Sequence, residues 1–273
     1  MDSECSAKGW VASRWPRHYE AAHGFHTWGN STVLQPNQIL SGLQVELDPR
    51  DVATSGGKVT QFNNTRGIGG VCAQATTANQ AVFNTSDANF NLEPSLTFSG
   101  NLAANGCWYN LPDLSALTQG EVFVVLKSTY SYPGPTQPPS SAYVGLWHLG
   151  AASILSTLYN FTINGVSECF GSNARVDFGS PINSNVPHIY NVRSASNSYT
   201  AYQSMAANPG FVYTSGTNTV GFPAAGNFGQ GANTNVYYNG QLAYLALCSQ
   251  VQTAQARTAM LSYLARRFGI ALP

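Results

Sequence analysis

Leu43-Gln44-Val45-Glu46-Leu47-Asp48, followed by Gly56-Gly57-Lys58-Val59-Thr60-Gln61-Phe62-Asn63-Asn64, reads as a strand, a glycine turn and a second strand. Near the other end, Tyr238-Asn239-Gly240-Gln241-Leu242-Ala243-Tyr244-Leu245-Ala246-Leu247 reads as another strand and leads into the clearest helix of the chain. The two ends bracket one all-β domain.

The text between them agrees. Val122-Phe123-Val124-Val125-Leu126 is a continuous apolar run, as expected of a strand covered on both faces. Ser153 to Thr162 is rich in β-formers, and Val212-Tyr213 and Val236-Tyr237-Tyr238 are shorter strand candidates. Turn signals separate them at Asp113, Pro133-Gly134-Pro135, Asn164-Gly165, Asn208-Pro209-Gly210 and Asn239-Gly240. Many short strands divided by such turns predict a sandwich or barrel. In the C-terminal helix Val251, Ala254, Thr258, Leu261, Ala265 and Phe268 recur at spacings of three and four and so share a face. Arg266 and Arg267 fall in the last turn, where they suit the negative end of the helix dipole, and Gly269 follows as the C′ residue.

Of the 273 residues 43% are apolar, enough for a large core, and only 9% are charged, against roughly 25% in an average domain. Lysine occurs only at positions 8, 58 and 127. The polar surface therefore comes from Asn, Ser, Thr, Gln and Gly, which suits carbohydrate contact or close packing between copies, since ordering long charged side chains costs entropy. A net charge of zero and the absence of a basic run argue against nucleic acid. No segment approaches the roughly 20 apolar residues of a membrane helix. No apolar core of a signal peptide is visible between Met1 and Trp15, and five dispersed cysteines do not suggest a secreted disulfide framework. Residues 1–40 stand apart, holding three of the five tryptophans, Trp10, Trp15 and Trp28, with no strand period. They are read as an N-terminal arm for attachment or assembly, followed by the domain at 41–273.

The opening and closing stretches resemble the LamG-like branch of the concanavalin A-like lectin/glucanase domain. Leu43, Val45, Leu47, Asp48, Gly56, Gly57, Val59, Gln61 and Asn63 match its first two strands, while Glu46 and Phe62 stand where tryptophans are usual. Pro94 to Gly100 and Val122 to Lys127 resemble the next strands, and in the tail Tyr244 replaces a frequent glutamate. The resemblance spans about residues 41–271, with 130–210 weakly covered. It implies an all-β, two-sheet antiparallel jelly-roll sandwich with one C-terminal helix, and it carries no catalytic signature.

Glu46 and Asp48 share a strand face, and a retaining glycosidase needs two carboxylates roughly 5–5.5 Å apart. Pro49 ends regular pairing and the next acid is the short Asp51, so the pair is read instead as a solvated strand end. His18, His23 and His26 lack a completing ligand for zinc, and no metal or cofactor is expected. Glycan contact would rest on aromatic platforms and amides: Trp108 and Tyr109, Trp147, and Tyr159 with Asn160. Trp147 and His148 must face opposite ways on a strand.

These features lead to an expected non-enzymatic phage virion surface protein, made in the host cytoplasm and serving in capsid decoration or receptor binding. Its expected partners are other virion proteins, its own copies as a homotrimer by the resemblance, and a surface glycan, with no nucleic acid and no membrane insertion. The alternatives are a free bacterial carbohydrate-binding module, or a glycoside hydrolase or lyase using Glu46 and Asp48.

Overall fold

The computed structural model describes residues 26–28, 31–67, 69–100, 106–130, 144–151, 156–159, 165–177, 184–205, 208–232 and 236–272. The chain divides into two compact units, Met1–Gln35 and Pro36–Pro273. In the first, β1 (His26–Trp28) and β2 (Ser31–Val33) pair antiparallel, with His26 opposite Val33. This stretch therefore contains strands where the sequence shows no period of two.

The second unit opens with the short helix α1 (Pro36–Ile39) and is an all-β sandwich of two antiparallel sheets with a C-terminal helix. Its larger sheet contains β3 (Leu43–Leu47), β4 (Val52–Ser55), β5 (Lys58–Phe62), β6 (Cys72–Ala73), β7 (Val82–Asn84) and β8 (Ser95–Phe98) from the first part of the chain. The smaller sheet takes β9 (Tyr109–Asn110). The larger one then gains β10 (Gly120–Ser128), one of its central strands, between β15 and β19. To the smaller sheet also belong β11 (Gly145–His148), β12 (Thr157–Leu158), β13 (Ser167–Glu168) and β14 (Val176–Asp177). The chain returns to the larger sheet with β15 (His188–Ala195), β16 (Ser198–Met205) and β17 (Asn208–Ser215), visits the smaller with β18 (Asn227–Phe228) and closes the larger with β19 (Gly240–Cys248).

Strand order in the larger sheet is β17-β16-β15-β10-β19-β8-β7-β5-β4, with β3 also on β19 and β6 on β5. The smaller runs β14-β13-β12-β11-β18-β9. Gly56 and Gly57 join β4 to β5 with φ of 58° and 77°, a two-residue turn that L side chains enter only under strain.

Alternation places Val122, Val124 and Leu126 between the sheets beside Tyr190, Val192, Leu245 and Leu247. Against them pack Tyr109, Trp147 and Phe228 of the smaller sheet. Trp147 stacks on Tyr190 with ring centroids 5.9 Å apart, and Phe98 meets Phe228 edge-on at 5.4 Å. Phe123, Val125, Tyr244 and Ala246 face the other way and are also fully buried, as the unbroken apolar run predicts. On that outer face lies α2 (Ala254–Phe268), where Phe268 reaches Tyr244 and Arg257 reaches Glu121.

Thr253 caps α2 by accepting the Ala256 amide at 3.2 Å, and Gly269, at φ 67°, ends it with its amide on the Ala265 carbonyl. The buried stripe is Met260, Tyr263, Leu264, Ala265 and Phe268, whereas Ala254 and Thr258 are exposed. The helix is thus rotated from the face read in the sequence. Arg257 and Arg267 turn toward the sheet and bond buried acids, which spacing rules treat as solvent-facing residues.

Candidate functional site

Glu46 lies on β3 with its side chain on the outer face, opposite Ala246, and Asp48 follows on the same side. The shared face is as the sequence predicts, but the solvated strand end is not. Glu46 is 3% exposed and Asp48 1%. Arg267 grips Asp48 with both Nη atoms at 2.9 Å, while Arg50 and Arg66 reach it at 2.8 and 3.1 Å. Glu46 takes Arg66 Nε at 2.5 Å and the Tyr244 hydroxyl at 2.6 Å. Arg267 also binds Glu93 at 3.0 Å. Burial opposes ionisation of Asp48, yet Arg267 and Arg50 outweigh it and hold the carboxyl well below its usual range. Burial raises Glu46 instead, more than Arg66 lowers it. Two acids enclosed by guanidinium groups cannot receive a sugar between them, so this pair is a structural lock for α2 and not a catalytic couple.

The aromatic candidates separate. Trp108 is half-buried, whereas Tyr109 lies in the core, its hydroxyl donating to the Val59 carbonyl at 2.8 Å and accepting the Ala81 amide at 3.0 Å. Trp147 packs in the core, and its neighbour His148 is half-buried. Tyr159 is fully buried and stacks on His188. Trp147 and Tyr159 therefore pack inside the sandwich and do not form a surface platform. Trp10, Trp15 and Asn160 lie outside the described residues, and Trp28 enters them only as the end of β1.

Around Trp147 is an arrangement the sequence reading missed. Glu168, fully buried, accepts five donors: Trp147 Nε1 at 3.0 Å, Thr157 Oγ1 at 2.6 Å, the Cys169 and Phe170 amides at 2.9 Å, and the Tyr190 hydroxyl at 2.6 Å. Burial raises its pKa, against the lowering effect of these hydrogen bonds. Beside it the Tyr159 hydroxyl is 2.6 Å from His188 Nε2. His188 Nδ1 lies 2.7 Å from the Val186 carbonyl, which can only accept, so the neutral ring is protonated at Nδ1 and Nε2 accepts from Tyr159. Burial pushes His188 down to about 4. A lone acid in the apolar stretch Val166-Ser167-Glu168-Cys169-Phe170 of a charge-poor chain was the available signal.

A third place is open to solvent. Thr97, Lys127, Ser128, Thr129, Asn185, Gly240 and Gln241 line a cavity of about 410 Å³. Gln241 stands opposite Lys127 on one side and Thr97 on the other, so three adjacent strands each offer one polar side chain to the outer face. The wall is preorganised by Asp87, 7% exposed, which accepts the Asn89 amide at 2.9 Å, Asn89 Nδ2 at 3.0 Å, and Ser95 Oγ and Gln241 Nε2 at 2.6 Å each. Asn89 Nδ2 also donates to Gln241 Oε1 at 3.1 Å, and its own Oδ1 accepts from Lys127 Nζ at 2.9 Å. This constellation needs the pairing of distant strands and was not predicted. Among the described residues no group of three or more His, Cys, Asp or Glu is arranged to hold a metal ion.

No family model matches the chain, and no curated protein matches it. Solved structures do. An arabinofuranosidase complexed with arabinofuranosyl-alpha-1,2-xylobiose aligns with a TM-score of 0.50 and 12% identity over 77% of this chain and 51% of that one. Domain 4 of AbnA, a GH43 extracellular arabinanase from Geobacillus stearothermophilus, in complex with arabinotriose, gives 0.49 and 11% over 80% and 98%. Trypanosoma rangeli sialidase in complex with sialic acid gives 0.47 and 10% over 86% and 34%. The chain spans about half the length of the arabinofuranosidase structures it matches. The expectation of a non-enzymatic phage virion surface protein is corrected by the likeness to the arabinofuranosidase at a TM-score of 0.50, a carbohydrate-active enzyme. An identity of 12% at that TM-score shows a shared sheet-rich fold alone.

Proposed function

We propose that the unit beginning at Pro36 is a glycan-recognising β-sandwich of a carbohydrate-active protein, with the jelly-roll order of concanavalin A-like domains. The observation that carries the reading is the row of Thr97, Gln241 and Lys127 over the Asp87 network. Sugar hydroxyls pair best with amides, hydroxyls and ammonium groups held in place before binding, because the entropy of ordering them is then spent in folding. Here Gln241 and Asn89 are fixed by Asp87 and the open cavity has room for about one or two sugar rings. Trp108, half-buried, is retained as a candidate stacking surface in this proposal.

Binding of the full chain to a glycan array that includes arabinofuranosyl-xylobiose and acidic oligosaccharides tests the reading, with hits confirmed by calorimetry. The expected result is binding that Gln241→Ala weakens at least tenfold. Absence of binding across the array would overturn the proposal.

A further inference from the structure

The cavity belongs to a longer row. Pairing registers place Lys58 opposite Val82, Val82 opposite Thr97, Thr97 opposite Gln241, and Gln241 opposite Lys127. Residues directly opposite across strands project to one face, so all five side chains stand in line on the outer surface of β5, β7, β8, β19 and β10. Strand spacing makes the line roughly 19 Å long. Two of the three lysines in the chain mark its ends.

Neither lysine is ion-paired among the described residues: Lys127 Nζ bonds the Asn89 side-chain oxygen and Lys58 Nζ the Thr77 carbonyl. The arginines packed against buried acids differ, for Arg50, Arg66, Arg257 and Arg267 each bind a carboxylate. Asp87 forms no direct ion pair with the row: its two oxygens accept four hydrogen bonds from neutral donors within the wall. Each ammonium has three N–H donors and, among the described residues, one protein acceptor. Between the two cations lie the apolar Val82 and two neutral groups able to meet hydroxyls, Thr97 and Gln241.

Resting on the glycan-recognition reading above, we infer that this row binds an acidic oligosaccharide laid across the strands, with a ring carboxylate of the uronic-acid class on Lys127 and a second toward Lys58. With a formal chain charge of zero there is no net long-range attraction of polyanions, so selectivity rests on the two placed ammonium groups.

Calorimetry on the full chain with tetragalacturonate, digalacturonate and neutral cellotetraose tests this. The expected result is at least tenfold tighter binding of the acidic tetramer than of the neutral one, weakening as salt is raised. Lys127→Gln is expected to abolish that preference. Lys58→Gln is expected to weaken the tetramer and leave the dimer unchanged, and it provides a separate variant if Lys127→Gln folds poorly. Equal or tighter binding of cellotetraose, or acidic binding unaffected by either variant, would overturn the charge assignment while leaving glycan recognition intact. Binding of no sugar, here and on the array, would overturn both.

Discussion

Two acid-centred networks sit on the same outer face of the larger sheet and have opposite fates. At β3, Asp48 and Glu46 are covered by α2 and held by three guanidinium groups. At β8 and β19, Asp87 is held by a serine, an asparagine and a glutamine, and the surface above it stays open. The first network pairs its acids with guanidinium groups, one of which fastens the helix. The second uses neutral donors to satisfy its acid and leaves a cation, Lys127, unspent. A buried acid therefore does not itself mark a site; the partners that satisfy it decide whether anything remains for a ligand.

The largest effect should follow from breaking the closed side. Arg267→Ala leaves Asp48 without its bidentate partner and should cost about 3–5 kcal/mol in urea unfolding. The pH profile should change as well. Asp48 has a lowered pKa, so its stabilisation is complete above the usual value near 3.9 and is lost as pH falls through the lowered one. The variant should therefore lose less stability on acidification below about pH 4 than the wild type does. An unchanged acid profile would show that Arg267 does not set the ionisation of Asp48.

Glu168 sharpens the contrast, because it is a buried acid held entirely by neutral donors. Glu168→Gln should cost about 1–3 kcal/mol, since donors such as the Tyr190 hydroxyl lose a charged acceptor. With its pKa raised, the wild-type group contributes less as pH rises through that value, and the Gln variant should lack this decline. Removing the helix cap is a smaller step: Thr253→Ala should cost about 1 kcal/mol by thermal unfolding. The open side should respond least. Lys127→Gln should alter stability by no more than about 0.5 kcal/mol, because the side chain is only half-buried and forms no ion pair among the described residues. A cost above 2 kcal/mol there would place Lys127 with the structural network and remove the basis of the contrast.

What could be read along the chain was local. The Gly56-Gly57 turn follows from the need for positive φ, and a central strand follows from the apolar run Val122 to Leu126. The end of α2 follows from Gly269 after Arg266 and Arg267. Residues close in sequence settle all three, so their types suffice. The face of α2 did not follow, because Arg267 and Asp48 are 219 positions apart and their bond turns a charged residue inward. Tyr159 and Trp147 looked like ligand platforms, since aromatic residues suit both core and surface; the packing of the two sheets put them inside.

The binding row depended still more on assembly. Lys58, Val82, Thr97, Gln241 and Lys127 have no common spacing, and a shift of one residue in any strand would turn its side chain to the core. Composition and turn chemistry thus determined an all-β domain with a neutral, amide-rich surface. Strand register and helix docking, which are long-range properties, determined which acids were sealed and where two lysines were left facing solvent.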